Sequence, residues 1–78
     1  MIKELDSVVL TEDLPEIKLK KGDVGTVVLV HKNGEGYEVE FVTLGGETIA
    51  VTTLFAKQVR RIGEMEIANA RAVDMAAA

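Results

Sequence analysis

The 78-residue sequence has no cysteine and no tryptophan, and only one proline, one histidine, one tyrosine and two phenylalanines. Without cysteine, disulfides, zinc–thiolate sites, iron–sulfur clusters and thiol catalysis are excluded. A lone histidine, His31, also excludes histidine-rich metal sites and histidine dyads. No apolar run reaches the roughly 18 residues that a membrane-spanning helix needs. Met1-Ile2-Lys3-Glu4-Leu5-Asp6 mixes charges instead of forming an apolar signal core, so a cytoplasmic location is expected. Positive charge is also scarce: nine Lys and Arg against thirteen Asp and Glu leave a net charge of −4. A nucleic-acid binder would start from a clustered basic footprint.

Apolar residues make up 47% of the chain and charged residues 28%, ordinary for a globular domain and unlike a disordered one. A chain of this size buries about 60% of the surface its unfolded form exposes. That suffices for one thin core without a deep substrate cleft. Three regions differ in composition. Residues 1–23 are mixed, with the apolar triplet Val8-Val9-Leu10 followed by the polar stretch Thr11 to Glu16 around Pro15. Residues 24–62 are rich in β-branched residues and punctuated by glycines. Residues 63–78 turn to alanine, methionine and glutamate.

The middle region reads as an antiparallel meander. Gly25 to His31 is a β-branched run of strand length. Asn33-Gly34 then supplies two residues that tolerate the positive φ of a type I′ hairpin turn. In Tyr37-Glu38-Val39-Glu40-Phe41 the apolar residues alternate with carboxylates, which places Tyr37, Val39 and Phe41 inward and Glu38 and Glu40 in solvent. Gly45-Gly46 marks the next turn. In the run from Glu47 to Leu54, alternation assigns Ile49 and Val51 inward and Thr48, Ala50 and Thr52 outward. Val8-Val9-Leu10 and Val59-Arg60-Arg61-Ile62 supply a first and a last strand, the latter preceded by one helical turn at Phe55 to Gln58. Either Val27 or Val28 faces inward, depending on a bulge near Gly25. The expected fold is all-β: a small five-stranded barrel over residues 1–62 that closes on itself and hides its edges, with residues 63–78 as a helical or disordered tail. On a helical wheel Met65, Ala68, Ala72, Met75 and Ala76 share one face, so the tail is a candidate for homo-oligomer formation.

The blocks Leu19-Lys20-Lys21-Gly22-Asp23-Val24-Gly25-Thr26-Val27-Val28, Tyr37 to Phe41 and Ala50 to Leu54, with Leu5 to Leu10 and Asp13 to Glu16 upstream, resemble a family of small bacterial proteins common in cyanobacteria. It is known as domain-of-unknown-function family 4926. The resemblance covers about residues 3–62. It implies an SH3-like barrel and no activity. The residues agree with that fold. Gly22 suits a turn, Asp23 an Asx-type hydrogen bond, and Gly25 a close backbone approach at a strand start.

Catalytic constellations are missing. Ser7, the only serine, lies far in sequence from His31, and nucleophilic catalysis needs a base within reach. Glu38 and Glu40 share a strand face, but no sequence feature marks either as a general acid. Glu12, Asp13 and Glu16 lack the ordered ligand spacing of a calcium loop. His31 reads as an exposed strand-end residue. The turn at Gly22 lacks the Gly-Lys-Ser/Thr ending of a phosphate loop. A polyproline groove cannot be lined with three aromatics. Lys18, Lys20 and Lys21 form one basic cluster and Lys57, Arg60 and Arg61 another, and a closed barrel brings the two together. Residues 22–56 hold five acids and one lysine, Lys32, so charge segregates along the chain. The expectation is a non-enzymatic, cofactor-free and metal-free protein-interaction module. It acts as an accessory or regulatory partner of a larger, unidentified protein, as an antitoxin-like or immunity-like partner masking a basic site would. Contact is expected through Leu14, Pro15, Glu38, Glu40, Lys57, Arg60 and Arg61. The second reading, less favoured by the charge balance, is nucleic-acid binding through the two basic clusters.

Overall fold

A computed structural model of the chain describes residues 1–73. It contains strands β1 (Ser7–Leu10), β2 (Val24–His31), β3 (Gly36–Val42), β4 (Thr48–Phe55) and β5 (Val59–Arg61). Among the described residues, two short 3₁₀ turns, Pro15–Ile17 and Ala56–Gln58, and an isolated bridge between Leu14 and Leu19 complete the secondary structure. All pairings are antiparallel, in the order β4-β3-β2-β1-β5. The core lies on the concave side, where Val8, Leu10, Val27, Val39, Phe41 and Leu54 pack with Leu19, Tyr37 and Val59.

Alternation explains most of this. Tyr37, Val39 and Phe41 are buried and Glu38 and Glu40 are half-exposed on the opposite face. Gly25 meets the demand for close approach. A Cβ there would lie 2.6 Å from Val39 Cγ1 and 2.7 Å from Phe41 Cε1. No side chain fits between the start of β2 and the core aromatic. The β-bulge falls later than Gly25: the register shifts between Val27 and Leu29. Val27 therefore points inward and Val28 is left half-exposed.

Three expectations change, and a fourth, left open between a helical and a disordered tail, is narrowed. First, β4 has the opposite phase. Leu54, Thr52 and Ala50 stand opposite Tyr37, Val39 and Phe41, and Val51 stands opposite Glu40 on the outer face. Ile49 turns toward the core because the register slips beside it, between Phe41 and Val42. A period-two reading started from Ile49 thus assigns the rest of the strand backwards. Second, the first hairpin turn is framed one residue earlier: the Gly34 N–H donates to the His31 carbonyl at 2.9 Å. Lys32 and Asn33, with φ of 45° and 60°, are its central residues. Third, the sheet does not close. β4 and β5 are joined by the 3₁₀ turn Ala56–Gln58 but do not pair, which leaves a curled sheet with an open seam. Fourth, no helix forms in the described part of the tail, residues 63–73, where one turn at Glu64-Met65 interrupts irregular chain. Met75 and Ala76, on the expected helical face, lie outside the described residues.

Candidate interaction face

The convex side of the sheet has two unlike halves. Over β2, β3 and β4 the register builds three cross-strand rows: Thr26–Glu40–Val51, Leu29–Glu38–Thr53 and His31–Gly36–Phe55. Large apolar side chains stand in solvent here. Phe55 is 69% exposed, Val51 56% and Leu29 44%. Glu38 sits at the centre. Its Oε2 lies 2.8 Å from His31 Nε2 and accepts a hydrogen bond from the Thr53 hydroxyl. These bonds, Thr53 first and His31 second, hold the Glu38 carboxyl below its ordinary pKa. That direction keeps a fixed negative charge on the face and is the reverse of what a general acid needs. Glu40 accepts a 3.2 Å bond from the Thr48 hydroxyl. The rows thus present two oriented carboxylates among exposed apolar side chains.

Over β1 and β5 the outward Val9 is covered. Val9 points away from the core, between Val24 and Arg60, yet is only 6% exposed. Two ion pairs tie the tail down on either side of it. Arg60 donates to both carboxylate oxygens of Glu66, at 2.8 and 2.6 Å. Arg71 donates to both oxygens of Asp23, at 2.8 and 2.5 Å, and to the Lys18 carbonyl at 3.1 Å. The Arg60 guanidinium, helped by the Gly63 N–H, pulls the Glu66 carboxyl down to about 2. At Asp23, burial raises the pKa, but the Arg71 pairing and the Lys20 N–H together outweigh it and the net shift is downward.

The residues expected to make contact divide accordingly. Glu38 and Glu40 come together on the bare half. Leu14 packs half-buried against the core, and Pro15 opens the exposed 3₁₀ turn beside it. Leu14 lines a shallow cleft of about 190 Å³ with Ile17, Thr52, Thr53 and Leu54. That is below the roughly 300–1,000 Å³ typical of small-molecule pockets. Lys57, Arg60 and Arg61 do not converge, because strand alternation sends Arg60 and Arg61 to opposite faces, opposite Val9 and Val8. Arg60 is engaged with Glu66, and Arg61 donates to the Met1 carbonyl at 3.1 Å. Nor is the 11–23 segment a basic patch: Lys18, Lys20 and Lys21 share it with Glu12, Asp13, Glu16 and Asp23. Glu12 accepts from Gln58 and Asp13 from the Lys21 N–H. Among the described residues no group of three acids or histidines is placed to hold a metal ion.

Sequence reasoning missed Val51, Leu29 and Phe55 as outward residues and took His31 as a plain strand end. The phase of Val51 was legible from Leu54, three residues on and aligned with the core. The His31–Glu38 contact follows from hairpin register once the turn is correctly framed. The Asp23–Arg71 anchor carries no sequence signal, since it joins residues 48 apart across the whole sheet.

The fold and this face define a small, open, five-stranded all-β domain with one bare convex half. The model of a protein family described as a domain of unknown function, DUF4926, matches residues 4–61. The chain belongs to that family. The match ends at Arg61, ahead of the tail that Glu66 and Arg71 fasten. Neither the curated proteins nor the solved structures yielded a match. Among the described residues no helix is long and apolar enough to cross a membrane.

Proposed function

We propose that the protein is a non-enzymatic interaction module that binds a basic and apolar surface of a larger protein through the convex face of β2, β3 and β4. One observation carries this reading: Phe55, Val51 and Leu29 stand exposed around a carboxylate, Glu38, that its neighbours orient and keep ionised. Exposed apolar side chains rimmed by polar groups are a feature of binding surfaces. Complementary charge then selects the partner and steers the encounter. Such a module works by occupancy, covering a cationic site on its partner, as a cytoplasmic accessory or inhibitory subunit does.

The test is affinity capture from a lysate of the source organism, with and without nuclease. Wild type is compared with the double variant Glu38→Lys/Glu40→Lys. A stoichiometric protein that survives nuclease and is lost from the double variant is the expected result. Equal recovery by both baits removes this face from the account. Recovery that vanishes with nuclease transfers the function to nucleic acid and the lysines of residues 18–21.

A further inference from the structure

We infer that the free edge of β4 takes up an extended, cationic strand of the partner protein, which pairs with Val51 and Thr53 and lies against Leu14 and Ile17. The inference rests on the protein-binding reading above and states how the partner engages.

The two edges of the sheet are built differently. β5 is three residues long and two of them are arginines. β4 is eight residues long, Thr-Ile-Ala-Val-Thr-Thr-Leu-Phe, with no charge and no proline. Short length, charge and proline are the usual means by which an edge avoids pairing with another chain. β4 uses none of them.

The register shows which groups the edge offers. The Ala56 N–H donates to the Glu35 carbonyl at 3.2 Å, one step beyond the Gly36–Phe55 pair. Bonded and non-bonded pairs alternate along an antiparallel ladder. Leu54 and Thr52 therefore exchange bonds with β3, while Thr53 and Val51 turn their N–H and C=O groups to the free side. Phe55 ends the run, because its N–H already donates to Gln58 Oε1 at 2.8 Å.

The cleft lies along this same edge. Thr52, Thr53 and Leu54 all line it, and three consecutive residues of a strand share one wall only along the strand's edge. The opposite wall is Leu14 and Ile17, with Glu16 beside them. A strand added to β4 would gain main-chain bonds from Val51 and Thr53, and alternate side chains would reach the apolar wall. Glu16 in the cleft wall, Glu12 bonded to the lining residue Gln58, and Glu38 bonded to Thr53 favour lysine or arginine at the remaining positions. A second copy of this chain fits less well, since its own Glu12 and Glu16 would meet the same acids across the seam.

The probe is a ten-residue peptide alternating lysine with valine, titrated into the ¹⁵N-labelled full chain. Two controls are the same peptide with N-methylated valine amides and a version with glutamate for lysine. The expected result is shifted resonances at Val51, Thr53, Leu14 and Ile17 and slowed exchange of the Val51 and Thr53 amides. Both controls should bind at least tenfold more weakly. Val51→Pro, which removes an outward N–H without removing a bond to β3, should weaken the lysine peptide to a similar extent. Unshifted Val51 and Thr53 overturn the inference. Equal binding of the N-methylated peptide also overturns it and leaves the convex-face reading intact, because side-chain contacts would then carry the peptide. A doubled mass without peptide, with the Val51 and Thr53 amides protected, assigns the edge to a second copy and overturns it as well. Loss of partner capture by the Glu38/Glu40 variant is read separately, so the two ideas fail independently.

Discussion

The two halves of the convex surface are made from the same kind of strand and end in opposite conditions. Over β1 and β5, Val9 faces outward yet is nearly buried, and residues 63–73 are fastened on either side of it by Arg60–Glu66 and Asp23–Arg71. Over β2 to β4, Leu29, Val51 and Phe55 face outward and stay in solvent. The outward Val9 is thus covered within the chain, while Leu29, Val51 and Phe55 are left uncovered. A covered face serves the domain's own stability. An uncovered one, set around an ionised Glu38, is available to a partner.

The comparison breaks first at the level of stability. Leu10, 1% exposed on the core side of β1, should cost about 2–5 kcal/mol when replaced by alanine. The same truncation at Leu29 on the bare half should cost less than about 1 kcal/mol. Urea unfolding of the two variants measures the difference, and equal losses would mean that the bare face is packed after all. Gly25→Ala should follow, losing about 1–3 kcal/mol through overpacking against Val39 and Phe41.

A smaller effect separates the halves by pH. The Glu66 carboxyl is depressed by Arg60 and that of Asp23 by Arg71. A depressed carboxyl lends stability above its ordinary pKa and loses it as pH falls toward its folded value. Protection of the Gly63 amide, whose N–H donates to Glu66 Oε1, should therefore hold at neutral pH, weaken below about 4.5 and disappear near 2 as Glu66 takes up its proton. Exchange rates across that range read this directly, and a Gly63 amide indifferent to the titration would show that Glu66 does not fasten the tail. The smallest effect on folding belongs to Phe55→Ser, within about 0.5 kcal/mol of wild type. The same variant should lose most of the captured partner.

The sequence made the meander legible because Tyr37 to Phe41 alternates cleanly, and it made Gly25 legible because a glycine at a strand start signals a close approach. It misplaced Val51, since the slip at Phe41/Val42 resets the phase and no residue type marks a bulge of that kind. It closed the barrel because five strands usually hide their edges, while the seam depends on how far the sheet curls. It gave the tail helix propensity and missed that Glu66 and Arg71 find partners on the domain, where two ion pairs override a weak local preference. Glu38 and Glu40 were legible as outward carboxylates. The divergence of Arg60 and Arg61 was legible in principle, since adjacent strand residues point to opposite faces.

The most direct test is an amide-exchange footprint of the protein bound to its captured partner. The account predicts protection over residues 28–31, 38–40 and 51–55, with no change at Val9, Arg60 or Arg71. Protection confined to residues 57–71 and Val9, with the β2–β4 face still exchanging freely, would contradict it.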